Sequence, residues 1–300
     1  MVHDVLIIGG GPSGMTAALY VLRSGKNVLI LEKENFGGQI ATSPRVENFP
    51  SIKEISGLDF SDQLFSQITD LGAEFELEDV LSLTKENGLF KATTNYGIHL
   101  AKSVIIANGV THRHMNLPNE EHLIGKGISF CAVCDGAFYK GQEVYLVGDA
   151  NTALQYAIML SNYCPKVHMF TLFDKLFGDE VLIDKVKKID NIIIRPFMNL
   201  VEYQGGDELT GLVFENTKDY TRHSYQTNNV FIAIGQLPHN ELFSSLVDLE
   251  KGFIVTDENM RTKTSGLFAV GDTRKKTVRQ LVTACNDGAI AALEAVKYIG

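Results

Sequence analysis

Val5-Leu6-Ile7-Ile8-Gly9-Gly10-Gly11-Pro12-Ser13-Gly14 opens the stretch that decides the fold, and Met15–Ser24 and Val28-Leu29-Ile30-Leu31-Glu32 complete it. Four consecutive aliphatic residues before a glycine cluster read as a buried parallel strand. Met15–Ser24 carries apolar residues at helical spacing, and Val28–Leu31 is a second buried strand that ends on an acid. Strand, GxGxxG, helix, strand, acid is the order of a dinucleotide-binding unit. Gly9 permits the tight turn, Gly11 lets backbone amides approach a pyrophosphate, and Gly14 lets helix and strand pack closely. Pro12 and Ser13 lie inside the motif, the helix N-terminus faces the phosphates, and Glu32 accepts from ribose hydroxyls.

The chain matches itself on a shift of 139 residues. Val144–Val147 repeats the first strand, Gly148-Asp149-Ala150-Asn151-Thr152-Ala153 falls on the GxGxxG, and Val167–Phe170 falls on the second strand. Later, Val230–Gly235 echoes Val104–Gly109. The copy is altered where a nucleotide would touch it. Ala150 replaces the glycine that admits a pyrophosphate, and Asp149 adds a negative charge beside it, a repulsion of about 1–4 kcal/mol at ~4 Å depending on the effective dielectric. Thr171 stands where Glu32 stands in the first copy, so no acid ends the strand.

Between the two glycine motifs lies Ser129-Phe130-Cys131-Ala132-Val133-Cys134-Asp135-Gly136. Two thiols separated by two residues close a small disulfide ring and reopen it by thiolate exchange, and a helix starting there lowers the thiol pKa. Asp135 is placed to move a proton to or from the leaving thiol. Half of a zinc site is the competing reading, and it needs a second ligand pair. Cys164 and Cys285 are isolated, and none of the eight histidines stands at ligand spacing from a cysteine, so no metal is expected. Both remaining cysteines read as small buried hydrophobes.

Three hundred residues suggest two domains. The composition, 45% apolar and 21% charged, is that of an ordinary globular chain, and a formal net charge of −9 argues against nucleic acid or an anionic membrane as partner. No apolar run approaches the ~18 residues of a membrane span. Val5 follows the first four residues without a cationic segment or cleavage site, and a lone CxxC suits a reducing compartment. The sequence therefore reads as cytoplasmic and without a signal peptide.

Gly37-Gly38-Gln39, Glu47-Asn48-Phe49-Pro50, the CxxC and Gly271-Asp272 resemble low-molecular-weight thioredoxin reductases over nearly the whole chain. The resemblance implies an α/β protein of two tandem Rossmann-like domains, the second inserted into the first. An FAD domain would span 1–112 plus 240–300, and a pyridine-nucleotide-type domain bearing the CxxC would span 113–239. It implies FAD contacts from Gly38, Gln39, Asn48, Val80, Gly109, Gly271, Asp272, Arg279, Gln280 and Ala289, beside the GxGxxG residues and Glu32. It implies, too, that Cys134 meets the flavin, Cys131 exchanges with the disulfide of thioredoxin, Asp135 protonates the released thiolate, and the enzyme is a homodimer. Ser51 and Asn108 depart from the family's glycine and threonine.

NADPH-using members carry His-Arg-Arg-x-x-x-Arg after the second strand of the copy, where arginines clamp the 2′-phosphate. Here Thr171-Leu172-Phe173 and then Phe177 align with that run. The three apolar residues read either as core or subunit-contact filling or as loss of the clamp. Within the family the loss points to the ferredoxin-dependent flavin thioredoxin reductases, which keep the fold without NADPH. Arg274-Lys275-Lys276-Thr277-Val278-Arg279, four cations in six residues, reads either as a solvated loop or as a landing site for an acidic ferredoxin. The alternatives are an NADPH-dependent thioredoxin reductase, a variant with a second flavin in the altered site, and a flavin sensor without turnover. His112-Arg113-His114 reads as an exposed connection between domains.

Overall fold

In the computed structural model, which describes residues 1–300, the chain begins with β1 (Val2–Ile8), α1 (Pro12–Arg23) and β2 (Val28–Glu32). It continues through α2 (Gly57–Asp70), β3 (Glu74–Leu77), β4 (Val80–Glu86), β5 (Leu89–Thr94), β6 (Ile98–Ile106) and β7 (Val110–His112). There follow α3 (Glu120–Leu123), β8 (Ile128–Ser129), α4 (Ala132–Asp135), β9 (Val144–Val147), α5 (Asn151–Leu160), β10 (Val167–Phe170), α6 (Glu180–Lys187) and β11 (Ile192–Arg195). Next come β12 (Met198–Gly205), β13 (Leu209–Asn216), β14 (Arg222–Gln226), β15 (Val230–Ile232) and β16 (Gln236–Pro238). The chain closes with β17 (Leu249–Glu250), β18 (Phe253–Ile254), β19 (Leu267–Ala269) and α7 (Leu281–Ile299). Two units result: Met1–Thr111 with Leu237–Gly300, and His112–Gln236.

In the first unit β3, β2, β1 and β6 lie parallel in that order. One edge of β6 is shared. Ile98–Ala101 pairs antiparallel with β5, whereas Val104–Ile106 pairs parallel with β19. The strand completing the parallel sheet thus arrives only after the second unit has been made. The second unit repeats the order as β11, β10, β9, β15, β8, all parallel, with β8 in the place of β19. An antiparallel meander, β12–β13–β14, follows β11 as the β4–β5 hairpin follows β3. The fold is α/β, with two Rossmann-type sheets.

Strand periodicity explains why both sheets are buried on two faces. Val5 and Ile7 enter one core with Met15, Ala18 and Ala291, while Leu6 and Ile8 enter the other with Phe90, Leu31 and Leu267. In the second unit Val144 and Leu146 face α5 residues Ala153, Leu154 and Ala157. Tyr145 and Val147 face the meander, where the Phe170 and Phe214 rings stack 3.8 Å apart. No helix is long and apolar enough to cross a membrane.

Between Leu71 and Leu83 two strands form, because Leu77 ends parallel pairing with Glu32 and Val80 begins antiparallel pairing with Thr94. β18 pairs with β17 across Lys251 and Gly252, both at positive φ. The closing helix begins at Leu281, where Gln280 and Thr283 form a reciprocal capping box.

α1 and α7 meet where Gly288 faces the first turn of α1. A Cβ on Gly288 would lie 2.2 Å from the Ser13 carbonyl oxygen. Gly288→Ala should therefore destabilise the first unit by about 1–3 kcal/mol, the usual cost of overpacking, read as a lower urea midpoint. An unchanged midpoint would contradict this packing.

Candidate active site

Cys131 and Cys134 form a disulfide, with Cα atoms 5.3 Å apart. Cys131 caps the single helical turn α4, and both sulfur-bearing residues are half-buried. The Cys134 N–H donates to Cys131 Sγ at 3.2 Å and to the Cys131 carbonyl at 3.1 Å. That N–H is also placed to hold a thiolate on Cys131 once the ring opens, a stabilisation that favours exchange near neutral pH.

Asp135 ends the same turn. Its carboxylate accepts from Ser129 Oγ at 2.6 Å, and Ser129 Oγ in turn accepts from the Cys131 N–H at 3.1 Å. Burial pushes the Asp135 carboxyl above the usual carboxylate range, and the Ser129 hydrogen bond opposes that rise. Burial likewise raises the phenols of Tyr139 and Tyr156, that of Tyr156 to about 12, with the Asp135 charge adding to both. Gly136 is glycine for lack of room: a Cβ would lie 2.6 Å from Tyr163 Oη.

The connection at the unit boundary is only partly the exposed one expected: Arg113 is exposed, and His112 and His114 are half-buried. The His112 ring stacks on Phe130 at 4.9 Å, and His114 packs on the same ring. Burial, with His114 nearby, lowers His112 to about 4, so it is neutral at pH 7. Sequence reasoning gave no role to Ser129, Tyr139, Tyr156 or His112. Ser129 alone carried a signal, as a hydroxyl two residues before the first cysteine.

The first unit gathers most of the expected cofactor residues. Gly9 (φ 113°) and Gly14 are fixed by packing: Cβ atoms there would lie 2.4 Å from the Ala107 carbonyl and 2.0 Å from the Gly9 carbonyl. Gly11 is different, since a Cβ would meet only Gly38 Cα, at 4.0 Å. No contact within the chain demands glycine at 11, which leaves a space at the N-terminus of α1 open to a ligand. Pro12 is the first helical residue, with its φ suited to the turn, and Ser13 is buried under Gly271. Glu32 accepts from the Gly10 N–H at 2.7 Å, which leaves further lone pairs for ribose hydroxyls.

Gln39 Nε2 donates to the Val110 carbonyl, and Asn48 Nδ2 donates to Gln280 Oε1 at 3.2 Å. Gly109 stands at φ 63° in open space. Ser51 holds the left-handed backbone (φ 73°) that glycine adopts freely, the physical reason for the family's glycine there. Asp272 Oδ1 and Asn108 Oδ1 are buried without a hydrogen-bond partner. Two orphaned acceptors beside a glycine cradle suit a ligand rich in hydroxyl donors. Arg279 lies 4.3 Å over the Phe253 ring and donates to the Asp272 carbonyl. Val80 is buried where β4 begins, and Ala289 sits half-buried on α7.

The family model for pyridine nucleotide-disulphide oxidoreductases matches residues 3–288. The chain belongs to that family. A thioredoxin reductase of Listeria innocua is 38% identical over 304 residues, 99% of this chain and 94% of that one. A Clostridium pasteurianum protein described as a 34.2 kDa protein in a rubredoxin operon is 38% identical over 301 residues, 99% of this chain and 97% of its own. The crystal structure of thioredoxin reductase from Streptococcus pyogenes superposes with a TM-score of 0.95 at 34% identity, covering 99% and 98% of the two chains. The chain is thus an FAD-dependent disulfide oxidoreductase of the thioredoxin reductase type. The cradle, the orphaned acceptors and Glu32 fit FAD.

The family's second nucleotide fold retains here what packing needs. Gly148 (φ 146°) repeats Gly9, with a Cβ that would lie 2.5 Å from the Ala233 carbonyl. The counterparts of Gly11 and Gly14 are Ala150, exposed at the cap of α5, and Ala153, buried in the core. Asp149 stands beside them, its carboxyl raised by burial, and its carbonyl accepts from the Phe177 N–H at 2.8 Å. Leu172, Phe173 and Phe177 do not fill the core: they are 45%, 52% and 54% exposed, with the two rings edge to face at 5.8 Å.

The cationic segment is not a solvent-facing landing surface. Lys276, its side chain 9% exposed, bonds Asp287 at 2.8 Å, and Arg274, 13% exposed, points to the same carboxylate at 3.7 Å. Asp287 also accepts from the Gly271 N–H at 3.1 Å, so these cations brace the turn carrying Asp272. Only Lys275 reaches outward, and it is paired with Glu250. Cys164 and Cys285 are unpaired thiols, both raised by burial.

Asp272→Ala should loosen FAD about tenfold or more, the worth of a hydrogen bond to a charged group, measured by flavin fluorescence on dilution. Equal retention by the variant and the parent would remove Asp272 from the cradle.

Proposed function

We propose that the chain reduces the disulfide of thioredoxin through Cys131 and Cys134, with electrons supplied by a reduced ferredoxin rather than NADPH. The observation that carries the donor is the asymmetry of the two glycine loops. In the second loop the packing glycine is kept, the ligand-facing glycine is Ala150, an acid stands beside it, and apolar side chains replace the phosphate clamp. None of Thr171, Leu172, Phe173 and Phe177 offers a cation to a 2′-phosphate, and the one cation of that run, Lys175, lies 5.8 Å over the Phe177 ring in place of a set of three arginines. A rubredoxin is itself an iron-centred electron carrier, so the Clostridium relative's rubredoxin operon is consistent with a donor of that kind. The thioredoxin reductases among the relatives support the acceptor. The family pattern further supports a homodimer in a reducing compartment.

When bound, FAD supplies a two-electron store that can be filled one electron at a time, which matches a one-electron donor. Opening the Cys131–Cys134 disulfide takes two electrons and two protons, and Asp135, raised by burial, delivers a proton to the leaving sulfur. The Cys131 thiolate then attacks the substrate disulfide, one substrate sulfur leaves as thiolate, and a mixed disulfide forms. Cys134 attacks Cys131 Sγ, which restores the ring and releases the substrate as dithiol.

Anaerobic mixing tests this proposal. Reduced ferredoxin should bleach the flavin and generate thioredoxin thiols, and NADPH or NADH should do neither. Rapid bleaching by NADPH with ferredoxin inert would instead make the chain an NADPH-dependent thioredoxin reductase. Asp135→Asn should keep FAD and slow thiol release about 10²–10⁴-fold, and an unchanged rate would reduce Asp135 to a turn residue.

A further inference from the structure

We infer that Ser129 is a positioning residue for the dithiol reaction, tying the carboxyl of Asp135 to the backbone of Cys131 so that acid and disulfide are held as one unit. The inference rests on the disulfide-reductase reading above and concerns a residue that neither the resemblance nor the comparisons single out.

The geometry leaves the Ser129 hydroxyl one role. Its oxygen receives the Cys131 N–H at 3.1 Å, which turns its own proton toward Asp135 Oδ2 at 2.6 Å. A chain of two hydrogen bonds therefore runs from the first cysteine to the acid, each polarising the next. Ser129 is itself fixed from behind. It is buried on β8 and pairs in parallel register with Phe231 of β15, so the strand sets the hydroxyl. The other groups facing the acid are the disulfide on its own turn, Tyr139 on the following turn and Tyr156 on α5. Both phenols are neutral near pH 7, and burial raises them further above it. Tyr156 donates to the Phe130 carbonyl at 3.4 Å and not to Asp135. Ser129 is thus the donor that favours the Asp135 anion against burial.

A group that must both give and take a proton works best when neither form is too stable. Without Ser129 burial acts alone and the carboxyl holds its proton to higher pH. Proton delivery to the leaving sulfur, lost as pH rises through the Asp135 value, then persists further into the alkaline range. Proton uptake, which needs the anion, fails at pH values where the parent still works.

The experiment follows the carboxyl itself in the FAD-loaded protein. Difference infrared titration, with Asp135→Asn assigning the carboxyl band, gives its midpoint in the parent, Ser129→Ala and Ser129→Thr. Ser129→Ala should raise the midpoint by about one pH unit or more, move both limbs of the pH–rate profile the same way, and keep the FAD content. Ser129→Thr, which retains the hydroxyl, should restore midpoint and profile. An unmoved midpoint in Ser129→Ala would overturn the inference, as would a rate lowered equally at every pH. If Ser129→Ala fails to fold, a parental midpoint in a folded Ser129→Cys, whose thiol donates only weakly, overturns it too. A pH-independent parent rate that Asp135→Asn leaves intact would sink the role of the acid itself, which is a different failure.

Discussion

A Cβ on Gly9 would sit 2.4 Å from the Ala107 carbonyl, and one on Gly14 would sit 2.0 Å from the Gly9 carbonyl. That close backbone approach, at the point where a parallel strand turns into a helix, is the constraint on which the first unit depends. It seats the N-terminus of α1 against the strand ends and leaves Gly11 open to a phosphate. It also puts Ser13 under Gly271, bringing the returning Gly271–Asp272 turn to the same place. Lys276 and Arg274 then hold that turn through Asp287, so residues more than 250 positions apart in the chain meet beside the glycine loop.

The second unit obeys the same constraint for a different end. Gly148 repeats the Gly9 contact almost atom for atom, with the Ala233 carbonyl in the place of Ala107. Packing still selects that glycine. Ala150 at the cap of α5, Asp149 beside it and the exposed Phe173 and Phe177 are the changes on which the proposal of a donor other than NADPH rests. A fold can thus keep the residues its backbone needs after its ligand contacts have changed. This unit also carries the disulfide, with a serine at the end of β8 hydrogen-bonded to a half-buried acid on the turn that holds both cysteines.

Much of this was legible in the sequence because it depends on local spacing. The run Val5–Ile8 alternates between two cores, as a strand buried on both faces must, and the 139-residue repeat foretold two sheets of one design. The CxxC and its acid were equally plain. Long-range pairing was not. Arg274–Arg279 looks like a cationic surface until Asp287, nearly two turns into a later helix, draws two of its cations inward. His112 looks exposed until the Phe130 ring, 18 residues on, covers it. Leu172, Phe173 and Phe177 are apolar and yet stand outside the core, since nothing in their own segment specifies which way it faces.

The proposal of a donor other than NADPH requires that the second dinucleotide fold not bind that nucleotide. Calorimetric titration of the FAD-loaded protein with NADPH tests this most directly, because it reads binding without reference to turnover. The account predicts no saturable heat up to ~1 mM, the upper end of ordinary substrate affinities. A one-to-one isotherm with a dissociation constant in the low micromolar range would contradict it.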